Sequence, residues 1–213
     1  MKKFLALALF LVGVCTSAIA THNRAGEITY RHLGGLKYEA TITTYTKESS
    51  QQADRNVLTL LWGDGHSSDL PRTNGNGQSL VNDIKKNIYK GEHTYAGPGN
   101  YIMSMEDPNR VGNIINITGS INVPFYIQTK LVINPFGGEY NSSPVLNFPP
   151  IDDACLNKLF IHNPGATDPD GDSLSYKLID VRGSNGEKAP QYYIPANVTI
   201  NAITGNLVWN TPQ

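Results

Sequence analysis

The stretch KYEATITTYT, residues 37–46, decides the fold class. Tyr38, Ala40 and Ile42 alternate with Glu39, Thr41 and Thr43, which places apolar and polar side chains on opposite faces of an extended chain. The pattern predicts a half-buried β-strand. Similar period-two runs cover residues 26–33, 57–62, 100–106, 113–118 and 123–133. Turn-forming clusters separate several of them: Gly63-Asp64-Gly65, Asn74-Gly75-Asn76-Gly77 and Gly97-Pro98-Gly99. Helical spacing occurs at Leu80, Ile84 and Ile88, but the segment lacks a good cap and carries Asn82, Asn87 and Tyr89, so it reads as loop and strand. Seven or so short strands joined by frequent turns predict an antiparallel β-sandwich over residues 21–133.

Beyond it, residues 134–143 (NPFGGEYNSS) break the alternation and read as a linker. Residues 144–213 carry a second set of signals. An extended piece is expected at 144–148, then a strand at 174–180 with Leu174, Tyr176 and Leu178 on one face, then a hairpin around Thr204-Gly205 leading to Trp209. The expected fold class is therefore all-β, two tandem immunoglobulin-like antiparallel sandwiches. The final strand of the second is expected beyond Gln213, which would leave that sandwich incomplete with an unpaired edge.

Residues 1–20 have the three-part order of a secretory leader: Lys2 and Lys3, an apolar run over 4–14, and small Ala18 and Ala20. Cleavage is expected after Ala20. The apolar run falls well short of the roughly 20 residues that span a bilayer. A lipoprotein site at Cys15 would require a small residue before the cysteine, where Val14 stands. The mature chain is thus expected to be secreted, on the cell exterior or outer surface, with no membrane span. Two of the 17 basic residues and none of the 18 acidic ones lie in the leader, leaving a net charge of −3 and no basic patch for nucleic acid. Cys155 alone remains after cleavage, so an internal disulfide is excluded. The thiol is either buried or paired with a cysteine outside this sequence. With 20 Gly, 13 Pro and 11 Tyr, the composition suits short strands and many turns.

Two motifs stand out. In the first, Trp62-Gly63-Asp64-Gly65 precedes His93-Thr94-Tyr95, Pro98-Gly99, Tyr101 and Asp107. Trp62 closes a strand with a large buried ring, the glycines allow a tight turn, and Asp64 caps its backbone, which accounts for that carboxylate fully; the alternative reading of Asp64 is a ligand for a metal or a partner. This set resembles the PKD domain, an immunoglobulin-like sandwich of extracellular proteins. His93 reads as structural, packed beside Tyr95. The five histidines show no local metal-ligand spacing, so zinc is not expected.

The second motif is Asp168-Pro169-Asp170-Gly171-Asp172. Three carboxylates in five residues repel one another unless a cation lies among them, and calcium takes 6 to 8 oxygens of this kind. A plain Asp-Pro-Asp-Gly turn with solvated charges accounts for the same residues. It is not an EF-hand, because glycine occupies the fourth loop position and Ile179 the twelfth. The run from Asn163 to Tyr176, with Thr204-Gly205-Asn206-Leu207-Val208-Trp209, resembles the cadherin-like or bacterial immunoglobulin-like repeats of surface proteins. That resemblance implies a calcium site of Asp168, Asp170 and Asp172, with Asn141 supplied by the linker. Asp152 and Asp153 are weaker candidates.

A broader likeness covers nearly all of residues 21–213. Gly26-Glu27-Ile28-Thr29-Tyr30, Asp107-Pro108-Asn109-Arg110, Asn113-Ile114, Pro124-Phe125-Tyr126, Pro149-Pro150 and HNPGATDPDGDSLSY occur in an order that resembles the N-terminal region of large Bacteroidetes surface proteins. Many of these carry a gliding-motility-associated C-terminal domain for type IX secretion. The resemblance implies that later domains follow in a longer polypeptide. Relatives of this kind often carry cysteines in the early strands, where this chain has His32 and Thr46, which leaves the partner of Cys155 undefined.

No Gly-x-Ser-x-Gly, His-Glu-x-x-His or phosphate loop is present, and no enzymatic activity is expected. The expected role is a structural or adhesive surface module, partnered by other surface proteins or extracellular glycans. The alternative is a carbohydrate-binding module of a secreted polysaccharide-utilisation protein. It requires several of Tyr30, Tyr45, Tyr89, Tyr140, Tyr192 and Tyr193 to share one exposed face, whereas strands are enriched in tyrosine anyway. Asn-x-Ser/Thr triplets begin at Asn116, Asn141 and Asn197 and matter only in a eukaryotic secretory setting.

Overall fold

The alternation of residues 37–46 becomes the centre of a four-stranded antiparallel sheet in the computed structural model, which describes residues 22–136, 140–151 and 153–212. Residues 1–21, 137–139, Asp152 and Gln213 lie outside the described residues, and with them the segment expected to be a secretory leader. Strands β1 (Asn23–Gly34), β2 (Lys37–Lys47), β3 (Val57–Leu61), β4 (Ser67–Pro71), β5 (Gln78–Leu80), β6 (Ile84–Thr94), β7 (Gly99–Asp107) and β8 (Phe125–Ile133) form two sheets, ordered β1-β2-β6-β5 and β4-β3-β7-β8. All their ladders are antiparallel. The sheets enclose one core: Tyr38, Ala40, Ile42 and Tyr89 from the first meet Leu58, Leu60, Met103 and Leu131 from the second. The segment at Leu80, Ile84 and Ile88 is strand and connecting turn, as its β-prone residues and missing cap require.

Residues 113–118 are a correction: they form turns, not a strand. Asn113 takes a left-handed φ of 61°, and the Ile117 N–H bonds back to the Ile114 carbonyl at 3.2 Å. That geometry turns Ile114 and Ile117 into a small cluster with Val123 and Ala189. Apolar residues three apart are satisfied there without a ladder.

The second part is a three-stranded antiparallel sheet, β10-β11-β9, of β9 (Phe160–His162), β10 (Val198–Ile200) and β11 (Leu207–Trp209). The hairpin expected around Thr204-Gly205 joins β10 to β11, with Gly205 at φ 76° and the Tyr176 ring so close that a Cβ would meet it at 2.7 Å. Residues 174–180 form no ladder, which corrects the expected strand. Leu174, Tyr176 and Leu178 are half-buried and their neighbours exposed, but among the described residues the segment is tied by a single backbone bond, from the Tyr176 N–H to the Ala202 carbonyl at 3.0 Å. Alternation specifies a face; a strand also needs a partner edge. Residues 144–148 contribute one bridge, Val145 to Thr167.

Contacts tie the second part to the first. Buried Arg110 donates to the carbonyls of Val123 at 3.1 Å, Pro124 at 2.8 Å and Arg182 at 2.6 Å, and burial pulls its pKa down. The expected linker is docked at its far end: Ser143 is buried, its N–H donating to the Tyr30 carbonyl of β1 at 2.9 Å and its hydroxyl accepting the Tyr30 N–H at 2.8 Å.

A charged cluster closes one end of the sandwich. Asp54, just after the 3₁₀ turn Gln51–Ala53, accepts from Arg72 at 2.7 Å and Lys85 at 2.8 Å, with His22 at 3.9 Å. His22 is buried, and burial lowers its pKa despite the pull of Asp54 and Asp107. The folded state therefore binds fewer protons than the unfolded chain, whose histidine titrates near 6.5. Stability is expected to fall as pH drops below that value towards the lower folded one. Urea midpoints at pH 7.5 and 5.5 test this. His22→Gln should flatten the difference, and identical pH profiles for both proteins would remove His22 as its source.

Candidate functional site

Two places bring together chemistry-bearing residues, and the sequence singled out only one of them as a metal site. The first is the acidic turn. Asp168 Oδ1 accepts the backbone N–H groups of Asp170 at 2.9 Å and Asp172 at 3.2 Å, the self-capped geometry of an Asp-rich turn. Gly171, at φ 84°, supplies the reversal. Asp170 Oδ2 accepts the Ser142 N–H at 2.6 Å, so the turn abuts the residue next to Asn141. The Tyr30 hydroxyl, which donates to the Lys130 carbonyl at 3.2 Å, feels both segments: burial raises its pKa, the nearby Asn141 side chain lowers it, and the charges of Asp168 and Asp170 raise it further. The four residues expected to hold calcium thus come from two segments that lie against β1.

Their donor chemistry fits a hard cation: acceptor-only carboxylate oxygens plus an amide. The three carboxylates do not gather within 4.8 Å of one another as a set, so coordination requires the turn to close. Asp153 is engaged elsewhere, accepting from Asn82 at 2.6 Å.

The second place is the β3–β4 hairpin. Trp62 is fully buried, its indole N–H donating to the Ser68 hydroxyl at 2.8 Å, and Gly63 follows at φ 85°. A Cβ at Gly63 would stand 2.5 Å from the Ile102 nitrogen and 2.6 Å from its oxygen, so only glycine lets the tip pass that close to β7. Asp64 then caps the turn through the His66 N–H at 3.0 Å, as its position between two glycines suggests. His93, near the end of β6, stacks on Trp62 with ring centroids 4.9 Å apart and meets Tyr95 edge-on at 4.8 Å, which bears out its packing beside that tyrosine. Its Nε2 also lies 2.7 Å from Asp64 Oδ2, while His66 Nδ1 lies 3.3 Å from Oδ1. Burial pushes the Asp64 carboxyl up, but the His93 and His66 hydrogen bonds outweigh it and hold the group below the usual carboxylate range.

Asp64, His66 and His93 are the one set of three His, Cys, Asp or Glu ligand atoms within 4.8 Å of one another among the described residues. Local spacing did not find it, because His93 stands on a strand that only the sandwich brings beside residues 64–66. The legible signals were Asp-x-His on the hairpin and His-x-Tyr on a strand facing it.

The thiol of Cys155 is exposed and forms no disulfide among the described residues, which removes the buried alternative and leaves the reading in which its partner lies outside this sequence. Of the six tyrosines considered for sugar stacking, Tyr30, Tyr45 and Tyr89 are buried in the first part, and Tyr140 stacks on His32 at 4.0 Å. Among the described residues no helix is long and apolar enough to cross a membrane. Comparison of the chain with family models, with curated proteins and with solved structures finds no match.

Proposed function

We propose that the chain is a non-enzymatic module of the cell exterior, structural or adhesive, whose junction is stiffened by calcium. The observation that carries this reading is the 2.6 Å bond from the Ser142 N–H to Asp170, which sets the linker beside the acidic turn. A cation held by Asp168, Asp170, Asp172 and Asn141 would cancel carboxylate repulsion at the point where chain from both parts meets β1. A secretory leader, the resemblance to PKD and cadherin-like repeats of type IX-secreted Bacteroidetes proteins, and the all-β build support the same reading. Its partners are then other surface proteins or extracellular glycans, and later domains of a longer polypeptide. The carbohydrate-binding alternative loses support, because half of its tyrosines are in the core.

Calcium added at about 100 times its dissociation constant is expected to raise the thermal midpoint by about 5–10 °C, from the linkage term and the size of the chain. Asp170→Asn should remove most of that rise. An unchanged midpoint together with an unchanged scattering-derived length would end the calcium part of the proposal.

A further inference from the structure

We propose that Asp64, His66 and His93 form a binding site for a borderline divalent transition ion, Zn²⁺ first among them, separate from the acidic turn. Two imidazoles and one carboxylate are a zinc donor set with a fourth position left open, whereas calcium prefers oxygens alone. The three groups come from two elements that are fixed independently of any ion. Pairing of β3 with β4, through Leu61 opposite Ser67, sets the hairpin that carries Asp64 and His66. Pairing of β6 with β2, through His93 opposite Tyr38, sets the third ligand.

The side chains are held as well. The Trp62 face fixes the plane of the His93 ring, and the His66 N–H fixes one oxygen of Asp64. Preorganisation of this kind lowers the ordering cost of binding. His93 and Asp64 are largely enclosed, with side-chain exposures of 16% and 13%, while His66 is 74% exposed. The site therefore has an enclosed floor and a solvent-facing third ligand, which provides the entry path an ion needs.

Each imidazole faces a different oxygen of Asp64, His66 Nδ1 towards Oδ1 and His93 Nε2 towards Oδ2, and one ligand atom from each of the three residues lies within 4.8 Å of the others, so the rings must close on a shared ion. Tetrahedral bonds of about 2.0–2.1 Å place ligand atoms about 3.3 Å apart. His66 Nδ1 to Asp64 Oδ1 is already 3.3 Å. With Oδ1 as the carboxylate ligand, His93 Nε2 must turn from its 2.7 Å contact with Oδ2 towards the ion, the proton between them leaving as the ion enters. The open position faces solvent, where water or a donor from a partner completes the shell.

The test uses the full mature chain, stripped with chelator and titrated calorimetrically with Zn²⁺. One equivalent is expected to bind, and His66→Ala, whose exposed ring contributes little packing, should weaken binding at least about tenfold with an unchanged metal-free melting curve. Asp64→Asn should weaken it similarly. In a Trp209→Phe background Trp62 is the remaining indole of the two, and Ni²⁺ should quench its fluorescence in the parent but not in the His66→Ala protein. Absence of Zn²⁺ binding, equal affinity in the parent and His66→Ala proteins, or loss of binding only in Asp170→Asn would each overturn the site. The last outcome would move the ion to the acidic turn.

Discussion

Replacing Asp54 by alanine is expected to cost about 3–5 kcal/mol of folding stability, the penalty of stranding buried cations. The carboxylate serves two of them at once, Arg72 with a side chain 2% exposed and Lys85 at 11%. Arg72 also donates to the Arg55 carbonyl and lies over the Tyr89 ring with its carbon 6.0 Å from the centroid, so it has no easy route to water. Loss of Asp54 leaves both charges in place without their counterion, which costs more than the pair itself contributes. The midpoint of urea unfolding should fall with little change in its slope. Asp54→Asn, which keeps an acceptor oxygen but no charge, should fall between the two. Burial pushes the Asp54 carboxyl up, but Lys85 and Arg72 pull it further down, so its contribution stands above the ordinary carboxylate range and is lost as pH falls through the lower folded value. The alanine protein should lack that acid-side loss. A cost below about 1 kcal/mol would mean that solvent screens the cluster as it screens surface pairs.

The sandwich was legible because alternation records a buried face: Tyr38, Ala40 and Ile42 are buried where the pattern put them, although Thr43, assigned to the polar face, is buried too, since β2 is covered on both faces from Ile42 to Thr46. Turn chemistry was legible for the same kind of local reason, Gly63 and Gly205 both standing at positive φ. Residues 113–118 and 174–180 escaped that logic. Residues 174–180 carry apolar side chains at strand-like spacing, yet a strand is defined by its neighbour and that segment forms no ladder, while in 113–118 the packed isoleucines, Ile114 and Ile117, stand three apart and suit a turn. The acidic turn was legible as three carboxylates in five residues, and its proximity to Asn141 followed only from a family resemblance. The Asp64, His66 and His93 cluster left only partial signals, Asp-x-His on the hairpin and His-x-Tyr further on, since its histidines stand at positions 66 and 93 on elements of different sheets. Separation along the chain likewise hid the Asp54 cluster, whose partners stand just after β4, at Arg72, and in β6, at Lys85.

Trp62→Ala is expected to destabilise the chain by about 3–5 kcal/mol, the range for deleting a fully buried large aromatic side chain. The indole lies in the core shared by both sheets with no exposed surface. Its removal leaves the Ser68 hydroxyl without the N–H that it accepts, and takes away the face on which His93 stacks. The backbone carbonyl of Trp62 still accepts the Tyr95 hydroxyl at 3.0 Å, so the end of β3 keeps one anchor and the loss stays within the cavity range. Trp62→Phe separates the contributions: it keeps an aromatic face and gives up the hydrogen bond, worth about 0.5–1.5 kcal/mol, with a smaller cavity. Thermal melts should therefore rank parent, phenylalanine and alanine proteins in that order, and a cost for alanine below about 1.5 kcal/mol would show that the hairpin is held by its backbone pairing instead. Zinc binding adds an independent reading of the same residue. Stacking orients His93 whether or not the indole N–H is present, so Trp62→Phe should retain Zn²⁺ affinity within a few-fold while losing stability. Trp62→Leu, which fills volume without a ring face, should lose affinity beyond its loss of stability.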